Sequence, residues 1–371
     1  MAGPVTTASR SKDAHPVAGV LIRRAGACGR MTLDRPRALN TLTGAMVAAM
    51  SEALKAWETT PAVRLVLIDA TGPRAFCAGG DIGEVHDLAT STTPGAALAH
   101  CADEYALDLM IARYPKPVVV LVEGVAMGGG LGIACHASHP VASQSATFAF
   151  PECAVGWVPD SGATHLLSRM EPDLARYLAL TGARFGAEDA LRLGLVRAIL
   201  VEGRREELVA DLEASGDPGL LARYARSEPK AATDSPPARI LDAFGETTLP
   251  GILQALETMD PGADDGGDTA RTLRERAIKA LLRGSPFAQE LTLALVAAAR
   301  RTPGLAKAFE RETGAVAALL GHPDFHEGIR ANLIDRDRRP SWTHDHRNRI
   351  PAAEIETVLT RISAPLGASG C

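Results

Sequence analysis

The segment PVVVLVEGVAMGGGLG, residues 117–132, constrains this chain more than any other. Residues 117–127 are nearly all apolar, and a strand with apolar residues on both faces must be covered on both sides, as in the centre of a parallel sheet flanked by helices. The run enters Gly128, Gly129 and Gly130, and LGIACHASH follows. A helix starting in those glycines points its N-terminal N–H groups at whatever binds there. Other stretches agree. AGVLIRRAGACGRMTLD (18–34), VRLVLIDA (63–70) and ATFAFPE (146–152) read as strands. TLTGAMVAAMSEALKAWE, after a capping Thr, and SGATHLLSRMEPDLARYLALTG carry helical spacing. Alternation of this kind predicts an α/β fold.

From about residue 203 the chain turns helical and charged, in ELVADLEASG, LTLALVAAARRT and IRANLID, with an exposed loop at 261–268 and a frayed tail, ISAPLGASGC. No fixed-period repeat is visible. The expected organisation is a disordered lead-in over 1–16, a core over 17–202, a helical region over 203–345 and a C-terminal helix or tail over 346–371.

The 371 residues are 46% hydrophobic and 22% charged, within the range of globular proteins and enough for a sizeable core. A net charge of −5 argues against a nucleic-acid surface or a polybasic membrane anchor. The polar start MAGPVTTASRSKDAHP lacks the apolar centre of a secretory signal, and no stretch approaches the ~20 apolar residues that span a bilayer. Six cysteines without a C-x-x-C pair predict a reducing, cytoplasmic setting.

Chemistry concentrates in FPECAVGWVPDSGAT, just downstream of the glycines, where Glu152 and Asp160 lie eight residues apart. Backbone donors beside carboxylates suit acyl chemistry: the donors receive an oxyanion, and a carboxylate activates water or attacks the carbonyl itself. Each motif alone would equally suit tight turns and surface acids. His322 and His326 stand four apart, but HPDFHEG is not H-E-x-x-H, so packing and capping at a helix start is expected and no metal is assigned. Cys77 and Cys153 are expected to be buried and inert. Ser161 has no G-x-S-x-G elbow, and G-G-G-L-G fails the dinucleotide spacing, so no NAD or ATP is implied.

In order, LDRPRALNTL (33–42), AFCAGGDI (75–82), GVAMGGGLG (124–132) and PECAVGWVPDSG (151–162) resemble the motifs of the enoyl-CoA hydratase/isomerase, or crotonase, superfamily, and HPDFHEGIRANLIDRDRRPSW (322–342) resembles its 3-hydroxyisobutyryl-CoA hydrolase branch. The resemblance covers roughly residues 18 to 345. It implies a crotonase-like spiral of β-β-α repeats with a helical C-terminal region. The ligand it implies is an acyl-CoA thioester, with no cofactor beyond the CoA of the substrate. Gly80 and Gly129 would be the oxyanion donors, each contributing about 3–4 kcal/mol. Glu152 would be base or nucleophile, Asp160 its partner, and Glu104 a contact to the hydroxylated acyl group. Arg37, Ala38, Ala78, Gly80, Asp81 and Ile82 would line the CoA, with Arg35 and Arg37 able to pair with its phosphates.

Superfamily hydratases carry a second glutamate where this chain has Gly132, which disfavours hydration, and dienoyl-CoA isomerases need an aspartate there. Trp157 and Ser161 depart from the hydrolase pattern and bear on the acyl pocket. Hydrolysis of 3-hydroxyisobutyryl-CoA from valine breakdown is the leading expectation. The alternatives are an enoyl-CoA hydratase or isomerase, and an acyl-CoA-binding protein without turnover. The resemblance implies a trimer or hexamer, with a monomer left open.

Overall fold

The computed structural model describes residues 15–91, 94–230, 236–260 and 267–363. Among them run β1 (His15–Val17), β2 (Val20–Ala25), β3 (Cys28–Leu33), β4 (Leu65–Ala70), β5 (Ala75–Cys77), β6 (Val118–Val122), β7 (Val125–Met127), β8 (His139–Ala142), β9 (Thr147–Ala149), β10 (Phe185–Gly186), β11 (Ala198–Leu200) and β12 (Ala225–Arg226). They form two sheets, ordered β1-β2-β3-β4-β6-β8-β11-β12 and β10-β9-β7-β5. The interior strands are parallel, and the antiparallel members β1, β2, β12 and β10 lie at the ends.

Each turn of the chain lays one strand in the large sheet, one in the small sheet and then helix. β4 and β5 lead to helices Ile82–Ser91 and Pro94–Ala112, β6 and β7 to Gly129–Cys135, and β8 and β9 to Ala163–Ser168 and Pro172–Thr181. This is the expected spiral of β-β-α units.

Burial follows the period of two. Along β4 and β6, Val66, Ile68, Val118, Val120 and Val122 face the main core, while Leu65, Leu67, Val119 and Leu121 face a second layer with Leu208 and Leu212 of helix Arg205–Ser215. Each of these side chains contributes about 1.5–3 kcal/mol by leaving water. A third cluster joins Cys101 and Tyr105 to Trp157 and to Phe287, Phe309 and Phe325 of the C-terminal helices. Helix Pro94–Ala112 is therefore enclosed between the spiral and the C-terminal region.

Several expectations are corrected in detail. The strand expected over 117–127 is two, because the chain changes sheets at Glu123–Gly124. Gly124 has φ 68°, and a Cβ there would lie 2.5 Å from the Arg74 carbonyl oxygen, so only glycine makes this passage. The strand expected over 146–152 stops at Ala149, and Glu152 opens a 3-10 turn, Glu152–Val155, since Pro151 has no N–H for a ladder. The region 18–34 is a hairpin. The helix over 161–182 is divided before Pro172, and IRANLID unwinds into a π turn, Arg330–Ile334. Thr43 caps helix Gly44–Glu58 as expected, accepting from the Met46 N–H. Strand β1 occupies the end of the expected lead-in. Its first fourteen residues, most of the 261–268 loop and the tail from 364 lie outside the described residues.

Gly124→Ala should lower unfolding stability by about 2–4 kcal/mol, read as a drop in the urea midpoint, through forced left-handed torsion and a backbone clash.

Candidate active site

Two loops at the ends of the small-sheet strands meet. After β5, Leu42 pairs with Gly80: the Leu42 N–H donates to Gly79 O (2.9 Å) and the Asp81 N–H to Leu42 O (2.8 Å), so the bridge leaves the Gly80 N–H unused. After β7, Gly129 begins its helix, where first-turn N–H groups have no intrahelical acceptor. Neither N–H has an acceptor among the described residues. The two loops touch, since a Cβ on Gly129 would lie 3.4 Å from the Gly80 nitrogen. That Cβ would also lie 1.7 Å from Glu104 Oε1, and one on Gly80 2.6 Å from Glu104 Oε2. The Glu104 carboxyl thus rests against the Cα side of both glycines, where a side chain would take its place.

The acids come from two elements. Glu104 and Asp108 lie one turn apart on helix Pro94–Ala112, while Glu152 opens the 3-10 turn and Asp160 lies in the loop beyond. Asp160 Oδ2 accepts from the Tyr105 hydroxyl (2.6 Å) and from Trp157 Nε1 (2.9 Å). The Trp157 departure noted in the sequence therefore supplies a donor to the acid as well as a wall of the cavity. Both Glu152 oxygens are buried without a hydrogen-bond partner among the described residues.

Burial, then the charge of Asp160, holds the Glu152 carboxyl well above the usual range, and the same causes push Glu104 up to about 8. Burial raises Asp160 too, but its two donors pull it back. The site thus separates a donor-stabilised carboxylate from neutral acids that are poised to lose a proton.

A cavity of about 410 Å3 joins these groups. Gly80, Gly129, Glu104, Glu152 and Asp160 line it, as do Ala78 and Ile82 of the expected CoA contacts. Arg37, Ala38 and Asp81 do not. Pro36–Ala38 is a turn with Arg37 exposed, and Asp81 is paired to Arg35 (3.1 Å), whose guanidinium also donates to Thr41 O. The C-terminal region contributes Arg283 and Asn332 to the wall, joined by a 2.9 Å hydrogen bond. Sequence reasoning singled out neither, although Asn332 sits inside the HPDFHEGIRANLID motif.

It also missed Asp108. Fully buried, with neither oxygen hydrogen-bonded among the described residues, it fills the space beside Gly132: a Cβ there would lie 2.2 Å from Asp108 Oδ2. The position that lacks an acid in sequence has one against it in space, brought by a different helix.

Cys77 and Cys153 are buried, and burial pushes the Cys153 thiol up to about 12, so both match the expectation of inert packing. His322 caps helix Pro323–Ile329, its Nδ1 accepting from the Asp324 N–H (3.2 Å).

Burial also holds the Asp108 carboxyl well above its usual range, so above the unfolded-state value the native protein keeps a proton that the unfolded chain releases, and stability falls as pH rises. Asp108→Asn removes that loss. Its melting temperature should exceed wild type at pH 8, with the advantage shrinking toward pH 4, in thermal melts at both values.

Comparison with known proteins agrees with this architecture. Residues 28–359 match the family Enoyl-CoA hydratase/isomerase. A protein of Gallus gallus named 3-hydroxyisobutyryl-CoA hydrolase, mitochondrial, is 33% identical over 89% of this chain and 86% of its own length. Its Homo sapiens namesake is 32% identical over 90% and 86%. The crystal structure of an enoyl-CoA hydratase from Rhodobacter sphaeroides superposes with a TM-score of 0.82 at 38% identity, covering 94% of this chain and 98% of the other. The cytoplasmic expectation is overturned by the relatives named mitochondrial; unpaired cysteines report reduced thiols, a condition not confined to the cytosol. With five sequence motifs in order, two sheets in a β-β-α spiral and these matches over most of its length, the chain belongs to the enoyl-CoA hydratase/isomerase family.

Proposed function

We propose that this protein hydrolyses a short 3-hydroxyacyl-CoA thioester, 3-hydroxyisobutyryl-CoA of valine breakdown before others, to the free acid and CoA. The observation that carries the reading is the convergence of two unused N–H donors, Gly80 and Gly129, with the unpartnered Glu152 carboxyl on one cavity. The names of the relatives supply the acyl group.

In this reading the thioester carbonyl enters between Gly80 and Gly129 and displaces Glu104 toward the acyl chain, where its carboxyl meets the 3-hydroxyl. Glu152, once ionised, takes a proton from water as the oxygen bonds to the carbonyl carbon, and the carbonyl electron pair moves onto the oxygen held by the two N–H groups. Collapse breaks the C–S bond, and Glu152 returns the proton to the departing thiolate. Asp160, held by Tyr105 and Trp157, orients Glu152 and tunes its proton affinity. No resident cofactor is required, as CoA arrives with the substrate. Direct attack by Glu152 would instead give a mixed anhydride. Label found in Glu152 after single turnover in 18O-water would establish the anhydride route, since water attacking the Glu152 carbonyl carbon of the anhydride leaves its oxygen there and general-base hydrolysis never does.

The name of the Rhodobacter protein supports a second reading, hydration of an enoyl-CoA. Against it stands Gly132, which brings no second acid, while Asp108, which fills the space beside it, does not line the cavity. Loss of enone absorbance from crotonyl-CoA without thiol release would establish hydration.

Glu152→Gln should lower kcat for thiol release about 10²–10⁴-fold with little change in KM. Because Glu152 acts as the anion and its affinity for a proton is raised, wild-type kcat should climb as pH rises through its ionisation, a limb that the variant lacks. Unimpaired turnover by Glu152→Gln would overturn the assignment.

A further inference from the structure

The loop that carries Asp160 is held in an uncommon backbone shape. Ser161 has φ 54° and Gly162 φ 79°, two successive left-handed residues, the first with a side chain. Such torsions persist only where the surroundings over-determine them. Two side chains do so here, from elements far apart in sequence. Glu312, on helix Leu305–Leu319 and fully buried, accepts the Gly162 N–H on Oε2 (2.7 Å) and both the Thr164 N–H (2.9 Å) and hydroxyl (2.5 Å) on Oε1. From a separate element, His136 Nε2 donates to Ser161 O (3.0 Å). Burial pushes His136 down to about 4, so its ring is neutral at ordinary pH.

One turn before Glu312, Phe309 packs on the rings of Tyr105 (5.7 Å) and His136 (6.0 Å), the first a donor to Asp160 and the second to Ser161. No salt bridge reaches Glu312 among the described residues. A carboxylate without a cation is a costly way to pack helices, and here its oxygens are spent on the Asp160 loop.

We infer that Glu312 is a positioning residue which, with His136, clamps the 160–164 loop and fixes the Asp160 carboxyl against Glu152. The helical C-terminal region is then part of the catalytic apparatus rather than a cover for it. His136 follows directly on the helix that begins at Gly129, so the clamp ties the acid loop to the oxyanion donors as well. The inference rests on the role given to Asp160 in the proposed hydrolysis.

The test is steady-state thiol release by the full chain carrying Glu312→Gln, with thermal melts alongside. The charges that act on Glu152 are those of Asp160 and Glu312, and Glu312 in turn interacts with Asp160, Asp108, Tyr105 and Arg311. Removing one negative charge and loosening Asp160 both ease ionisation of Glu152. We expect kcat to fall roughly 10–100-fold at nearly constant KM, and the acidic limb of the kcat profile to move to lower pH. Glu312→Asp, which keeps the charge, should recover part of both. A variant with wild-type kcat and pH limb, however much less stable, would show Glu312 to be structural only and overturn the inference. Should Glu312→Gln not fold, Thr164→Val removes one of the three bonds. It should lower kcat several-fold with a limb shift of the same sign, and no change would again overturn the inference. Turnover surviving Glu152→Gln would instead sink the hydrolysis reading, so the two failures are distinguishable.

Discussion

Burying carboxyl groups without cations governs this molecule. Glu104, Asp108, Glu152, Asp160 and Glu312 lie close together, and none forms a salt bridge among the described residues. An interior of low polarity tolerates such charge only if hydrogen-bond donors surround it or a proton neutralises it. Both solutions occur side by side. Asp160 and Glu312 receive donors from Tyr105, Trp157, Gly162 and Thr164, whereas Asp108 and Glu152 have none among the described residues. Unequal provision of donors among interacting acids makes one acid a reservoir of charge and its neighbour a proton acceptor in waiting.

The spiral supplies the other half of the arrangement. Because successive turns place strands in two sheets, β5 and β7 end side by side, and the loops leaving them present the Gly80 and Gly129 N–H groups to one point. The strand pairing that forms the small sheet therefore fixes the spacing of the donors. Helix Pro94–Ala112 crosses beneath with Glu104 and Asp108, and its burial against Trp157 and Phe309 places the acids where water is scarce.

Much of this was legible in the chain itself, and the limits have physical causes. The apolar run into three glycines fixed both the parallel sheet and the helix at Gly129, since a two-sided buried strand and a glycine-start helix are local properties. Glu152 and Asp160 were visible because they share one short loop. Tyr105, Asp108, His136 and Glu312 were not, because their partners lie 55, 24, 25 and about 150 positions away, and no periodicity encodes a contact between different turns of the spiral. The break at Glu123–Gly124 was hidden for a related reason: both halves of the segment are apolar, and only the sheet change distinguishes them. The pairing of Arg35 with Asp81 was hidden too, because it needs the tertiary approach of two loops.

The contact between Asp108 and Gly132 links two positions in evolutionary time as well as in space. A carboxyl at 108 and any side chain at 132 claim the same volume, with 2.2 Å between the would-be Cβ and Oδ2. Neither site can drift independently. A lineage acquiring an acid at 132 must first shrink 108, and one acquiring the acid at 108 must first empty 132, so the order of substitutions is imposed by sterics.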